Sequence, residues 1–132
     1  MKTIIIISFL ALACIIISSC NRGYISVNGS PLKKYLSPSE LKKITDTPDS
    51  NIWIIDLRPA SFYKSGHIPT AKSYPDIMNN LNEIPKDKYL ILYCILSPGA
   101  QMAIKKLERA GYTKNLNWGR YSRWSYESEK GK

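Results

Sequence analysis

The sequence predicts an α/β domain built on a mainly parallel sheet. Three observations lead there. Ile52-Trp53-Ile54-Ile55 and Tyr89-Leu90-Ile91-Leu92-Tyr93 are apolar at successive positions, the pattern of strands buried on both faces. Helical patterns alternate with these runs, and such alternation favours parallel pairing. The chain has 132 residues, room for one domain of this kind and little more.

The elements follow in order. Met1-Lys2-Thr3 is a short basic start, and Ile4 to Ile17 is uncharged and almost wholly apolar. A spanning helix needs about 20 apolar residues, so this shorter run reads as the core of a signal peptide. It ends in Ile17-Ser18-Ser19-Cys20, which resembles the bacterial lipobox: an aliphatic residue, two small residues, then cysteine. The expected organisation is a lipoprotein signal peptide over residues 1–20 ending in a lipidated Cys20, a tether over 21–33, a folded domain over 34–126 and a polar tail over 127–132. An uncleaved N-terminal anchor is the alternative. On the first reading the protein is a lipid-anchored resident of a bacterial cell envelope, facing the periplasm or the outside.

The domain opens with a short extended piece at Lys34 to Leu36. Ser37-Pro38-Ser39-Glu40 has the form of a capping box with proline at the first helical position, so a helix is expected from there. Ile52 to Asp56 is the first buried strand, and Pro59 to Tyr63 a short helical turn. The loop Gly66-His67-Ile68-Pro69 precedes a short strand at Ala71 to Tyr74 and a helix at Asp76 to Leu81. Tyr89 to Tyr93 is the second buried strand. A helix from Pro98 to Ala110 places Ala100, Ala103, Ile104, Leu107 and Ala110 on its inner face and Lys105, Lys106, Glu108 and Arg109 outside, and Gly111 stops it. Asn115 to Trp118 is the last strand.

Cysteine arithmetic singles out one thiol. Cys14 leaves with the leader and Cys20 is acylated, so Cys94 has no intramolecular disulfide partner. With one cysteine and one histidine, His67, left in the processed chain, a metal site is not expected, and no cofactor is implied. The net charge is +9 at pH 7. A basic balance suggests nucleic acid in general, but export and the scatter of the charges argue against it. The plainer reading is a solvated surface near anionic lipid headgroups. Cys94 sits at the end of a strand and before a helix, at the carboxyl edge where parallel sheets bind ligands. The helix N-terminus favours a negative sulfur by roughly 0.3–1 kcal/mol.

Taken in order, these segments resemble the rhodanese-like domain family. Ile55-Asp56-Leu57-Arg58 followed by Gly66-His67-Ile68-Pro69 is similar to its opening signature. The strand ending in Cys94 is similar to its active-site strand, and Ala110-Gly111-Tyr112 to the end of its active-site helix. Trp118-Gly119-Arg120 and Trp124 resemble its closing element. The resemblance implies a three-layer domain with a central, mainly parallel five-stranded sheet. It also implies a reaction: a cysteine thiolate takes a sulfane sulfur from a small donor such as thiosulfate, becomes a persulfide and passes the sulfur to cyanide or a thiol acceptor. Backbone N–H groups of the following loop cradle the anion. Cys94 is then the catalytic residue, and Ile95, Leu96, Ser97, Gly99 and Ala100 form the substrate-binding loop.

The loop departs from the family pattern. Active members usually carry an arginine five residues after the cysteine and often one directly after it. Here those positions are Gly99 and Ile95, and Pro98 removes one N–H. Phe62 stands where an acidic residue is common, and Arg120 where the closing element usually has a second glycine. Arg58 and Arg120 each follow a strand expected to flank that of Cys94, so both are candidates for the missing cation. Asp56 and Arg58 also suit a structural ion pair, and His67 a loop-fixing hydrogen bond. A phosphatase-type loop would need arginine at Ala100, and is discounted. The alternative to catalysis is a degenerate module that binds a protein partner in the envelope.

Overall fold

The computed structural model describes residues 30–131. Strands β1 (Ile52–Asp56), β2 (Lys72–Ser73), β3 (Tyr89–Cys94) and β4 (Asn115–Arg120) form one parallel sheet in the order β2-β1-β3-β4. Helix α1 (Pro38–Asp46) precedes β1, while α2 (Ala60–Ser65) lies in the β1–β2 crossover and α3 (Ser97–Arg109) in the β3–β4 crossover. Parallel strands covered on both faces need apolar residues at every position. That is why β3 has Leu90, Ile91, Leu92 and Tyr93 all buried.

Each face of the sheet has its own core. On one side Leu32, Leu41, Ile54, Ile91, Leu116 and Trp118 pack together. On the other, Ile55, Leu90 and Leu92 meet Ile104 and Leu107 of α3. Successive residues of a strand point to opposite faces, so Ile54 and Ile55 serve different cores.

Three local expectations are corrected. The sheet has four strands among the described residues, not five: Lys34 to Leu36 lies inside a 3-10 helix over Ser30–Leu36. Burial of Leu32 draws this segment onto the face of the sheet. There the Tyr35 carbonyl accepts the Trp118 indole N–H at 2.8 Å, and the Leu36 carbonyl an Arg123 N–H at 2.5 Å. A segment holding these partners does not extend the sheet edge. The capping box at α1 keeps its position but not its bonds. The Ser37 hydroxyl meets Ser39 Oγ at 2.8 Å, and Glu40 instead accepts from Lys43 at 2.6 Å. Finally, the helix after β2 is a kinked 3-10 segment over Ile77–Glu83. Asn80 donates its side-chain amide to the Asp76 carbonyl at 2.8 Å, a local bond of the kind that competes with helix.

The chain beyond Trp124 is held against the domain. Glu129 exchanges both backbone hydrogen bonds with His67, at 2.9 and 3.0 Å. Gly131 N–H reaches the Lys64 carbonyl at 3.0 Å, and the Tyr121 and Ser128 hydroxyls meet at 2.5 Å. Among the described residues no helix is long and apolar enough to cross a membrane. The leader, the tether and Cys20 lie outside the described residues.

Candidate functional site

Cys94 is the last residue of β3, and α3 begins three residues later. It is partly exposed and in no disulfide among the described residues. The carboxyl edge of the sheet therefore presents the thiol to solvent in front of a helix N-terminus. The first N–H groups of a helix have no helical partner. Of these, Pro98 has none to offer, and that of Gly99 turns back to the Leu96 carbonyl at 3.1 Å.

Gly99 packs directly on the sulfur. A Cβ built there would lie 3.1 Å from Cys94 Sγ and 3.6 Å from its Cβ. Glycine is thus the residue that lets α3 approach this closely. Ala100 is fully buried, while Ile95 and Leu96 are 44% and 61% exposed. Leu96 occupies the N-cap of α3 and makes no side-chain cap bond. Serine, threonine, asparagine or aspartate at such a position is worth about 1 kcal/mol over an apolar residue.

The two candidate cations have different fates. Arg58 is 3% exposed and Asp56 fully buried. Arg58 Nη2 donates to Asp56 Oδ2 at 2.6 Å and to the Gly66 carbonyl at 2.7 Å. Arg58 Nε reaches both Asp56 oxygens, at 3.0 and 3.1 Å. The guanidinium also stacks 3.8 Å over the Tyr121 ring. Burial works against its charge, but the hydrogen bond and charge of Asp56, with Tyr93 and Tyr121 adding, raise its pKa overall. Tyr93, the residue before Cys94, donates its hydroxyl proton to Asp56 Oδ2 at 2.6 Å and accepts the Ile68 N–H at 3.2 Å. Burial first, then the charge and hydrogen bond of Asp56, push its pKa far above the ordinary tyrosine value. Arg58 is committed to this buried network, so the structure does not offer it as the site's cation.

Arg120 is exposed at the end of β4 and is the register partner of Cys94. Adjacent strands lie about 4.8 Å apart, so its long side chain starts beside the thiol. A bulge creates this register. Leu92 pairs with Asn117, but Tyr93 pairs with Gly119, leaving Trp118 as the extra residue. In an unbulged strand Cys94 would stand opposite Gly119, which has no side chain. Such one-residue slips re-aim side chains, and bulges often border sites for that reason.

Asn117 holds the bulge, and the sequence reading missed it. Its Oδ1 accepts the Gly119 N–H at 2.8 Å. Its Nδ2 donates to the Ser97 carbonyl at 3.3 Å and to Gln101 Oε1 at 3.2 Å. One buried side chain thus ties the β4 bulge to the first turn of α3. Gly119 has φ +99°, and a Cβ there would meet Ser97 Oγ at 3.2 Å. A polar Asn between the apolar Leu116 and Trp118 was the available signal.

His67 is buried away from the thiol loop. Its Nδ1 is 2.7 Å from the Tyr63 carbonyl, its ring stacks on Tyr63 at 3.7 Å, and Nε2 lies 3.7 Å from Glu129 Oε2. Two clefts of about 190 and 340 Å³ involve residues such as Trp53, Thr70, Tyr89 and Lys114, and neither is lined by the Cys94 loop. Among the described residues no cluster of His, Cys, Asp and Glu is placed to hold a metal.

Comparison with known proteins supports the fold. The family model for the rhodanese-like domain matches residues 37–126. A sulfurtransferase of Allochromatium vinosum is 31% identical over 83 residues, covering 61% of this chain and 76% of the relative. The crystal structure of a rhodanese-like domain protein from Staphylococcus aureus superposes with a TM-score of 0.61 at 25% identity, over 72% of this chain and 95% of the other. That of the BH2092 protein from Bacillus halodurans gives 0.61 at 28% identity, over 76% and 81%. With its parallel sheet, its strand-end cysteine and a family match that spans most of the chain, this protein belongs to the rhodanese-like domain family.

Proposed function

We propose that this chain transfers sulfane sulfur through a persulfide on Cys94, with Arg120 supplying the positive charge that the loop lacks. The observation that carries this reading is the β4 bulge, which sets Arg120 in register with the thiol. The Cys94 thiolate attacks the outer sulfur of a donor. The new Sγ–S bond forms as the donor's S–S bond breaks, and the electron pair leaves with the donor's remaining group. A thiol acceptor then takes the sulfur by the same kind of exchange. The first-turn N–H groups of α3 and the Arg120 guanidinium face the negative charge, the role that preorganised donors play in acyl and phosphoryl transfer.

Incubating the chain with inorganic polysulfide should add about 32 Da, one sulfur atom, to Cys94 as a persulfide. The increase should vanish in Cys94→Ser. A chain that takes up no sulfur, and whose thiol resists alkylation near neutral pH, would instead be a binding module for a protein partner.

We further propose that the chain is an exported lipoprotein anchored through Cys20 in the bacterial envelope. The apolar run Ile4 to Ile17 and the Ile17-Ser18-Ser19-Cys20 sequence support this. Cys20→Ala should block processing or release the protein from the membrane fraction. Unchanged fractionation and mass would remove the anchor.

A further inference from the structure

We infer that the amino edge of the sheet is a docking face for an anionic lipid bilayer, and that docking there turns the Cys94 edge away from the membrane. The inference rests on the envelope anchor proposed above and goes beyond it. Topology and charge carry it together.

All four strands run the same way, so all of them start at one edge of the sheet. The chain enters the described domain at that edge. Pro31, Leu32 and Tyr35 of the opening 3-10 helix share the cleft of about 340 Å³ with Asn51, Tyr89 and Lys114, which stand at the starts of β1, β3 and β4. Cys94 lies at the opposite edge, and the length of β3 separates the two by about 20 Å. The span from Cys20 to Ser30 reaches at most about 35 Å. A lipid on Cys20 therefore keeps the domain close to the bilayer, and surface charge selects the face that meets it.

Lys33, Lys34, Lys86, Lys88 and Lys114 gather at the amino edge, on the opening helix and just before β3 and β4. They outnumber the aspartates there, Asp49 and Asp87. Among the described residues none of these lysines makes a salt bridge. Lys34 Nζ instead lies 4.9 Å over the Tyr35 ring, Lys114 Nζ 5.1 Å over Tyr89 and Lys86 Nζ 5.6 Å over Tyr112. Lysine beside tyrosine is the composition of a membrane–water boundary. At the opposite edge the charges that follow the strands are Asp56 with its partner Arg58, Asp76 and Arg120, an even mix of signs. An anionic leaflet attracts basic residues near its surface, and the attraction fades within a Debye length. The amino edge is thus the face drawn onto the lipid, and the thiol edge is left toward the aqueous phase.

The test footprints lysines on the full chain, as processed in its host, in vesicles of phosphatidylcholine alone and of equimolar phosphatidylcholine and phosphatidylglycerol. N-hydroxysuccinimidyl acetate labels the amines, and mass spectrometry reads each site. Rates are normalised to Lys64 and Lys130, which lie at the C-terminal tail. Phosphatidylglycerol should slow Lys34, Lys88 and Lys114 by about fivefold, the scale of one lysine's attraction to an anionic leaflet. Salt at about 1 M, where the Debye length is about 3 Å, should abolish the slowing. Alkylation of Cys94 by a neutral maleimide should keep one rate in both vesicles. In the combined variant Lys33→Glu, Lys34→Glu and Lys88→Glu, the slowing at Lys114 should be lost. Equal lysine rates in the two vesicles, slowing at Lys114 that survives the charge reversal, or slowing of Cys94 by phosphatidylglycerol would overturn the docking face and leave the anchor standing. A chain without lipid on Cys20 that sediments with phosphatidylglycerol vesicles alone would keep the face and remove the anchor. A chain without lipid that sediments with neither vesicle would overturn both.

Discussion

Two arginines follow two strands of the same sheet, and they live in opposite worlds. At the end of β1, Arg58 is enclosed, bonded to Asp56 and Gly66 and stacked on Tyr121. At the end of β4, Arg120 is exposed and stands opposite the thiol. Sequence gives both the same local setting, a polar residue just past an apolar run. What separates them is the partner. Asp56 sits two residues before Arg58 and cannot stay buried without a cation, so it captures the nearer guanidinium. The Arg58 charge is buried and bonded to Asp56 and Gly66, whereas the Arg120 charge is exposed at the strand end in register with Cys94.

The sharpest way to break this contrast is at Asp56. Asp56→Ala leaves Arg58 buried without its counter-ion and Tyr93 without its acceptor. Losing one partner of such a pair costs about 3–5 kcal/mol. Chemical denaturation should show this loss, and a change below 1 kcal/mol would mean that the network is not structural. Next in size is Arg120→Ala. It should slow polysulfide transfer to Cys94 by about tenfold, less than a fully preorganised donor is worth, with an unaltered denaturation midpoint. Equal rates for the two proteins would remove Arg120 from the site.

The smallest expected effect is on alkaline stability. The folded state holds the Tyr93 proton more tightly than the unfolded chain, whose tyrosines ionise near the ordinary value of 10.0. Stability from this group is therefore present below pH 10 and falls as pH rises above it. Tyr63, Tyr74 and Tyr112 shift the same way, chiefly by burial. Tyr93→Phe should flatten the fall of unfolding free energy by up to one proton's worth, about 1.4 kcal/mol per pH unit. An unchanged slope would place the alkaline response elsewhere.

Much of the fold was legible because it is written in continuous apolar runs. Ile52 to Ile55 and Tyr89 to Tyr93 have no other stable home than a covered parallel sheet, and Gly111 closes α3 as expected. Local reading failed where a distant partner decides. Lys34 to Leu36 looks extended until Trp118 and Arg123 bond its carbonyls from more than eighty residues away. The site divides in the same manner. Cys94 and its loop are contiguous in sequence, so their types and order could be read directly. The positioning of Arg120 depends on a bulge held by Asn117, and register is a property of two strands together. His67 was readable as a loop-fixing group because its partner, Tyr63, is only four residues away.

The contact between Gly99 and the sulfur limits what position 99 can hold. An arginine introduced at position 99 would place a Cβ 3.1 Å from Cys94 Sγ. Either the Cys94 side chain or the helix must give by a few tenths of an ångström, and the bonds from Asn117 to Ser97 and Gln101 resist movement of the helix. Any side chain at position 99 is therefore opposed by the packing of α3 against Cys94.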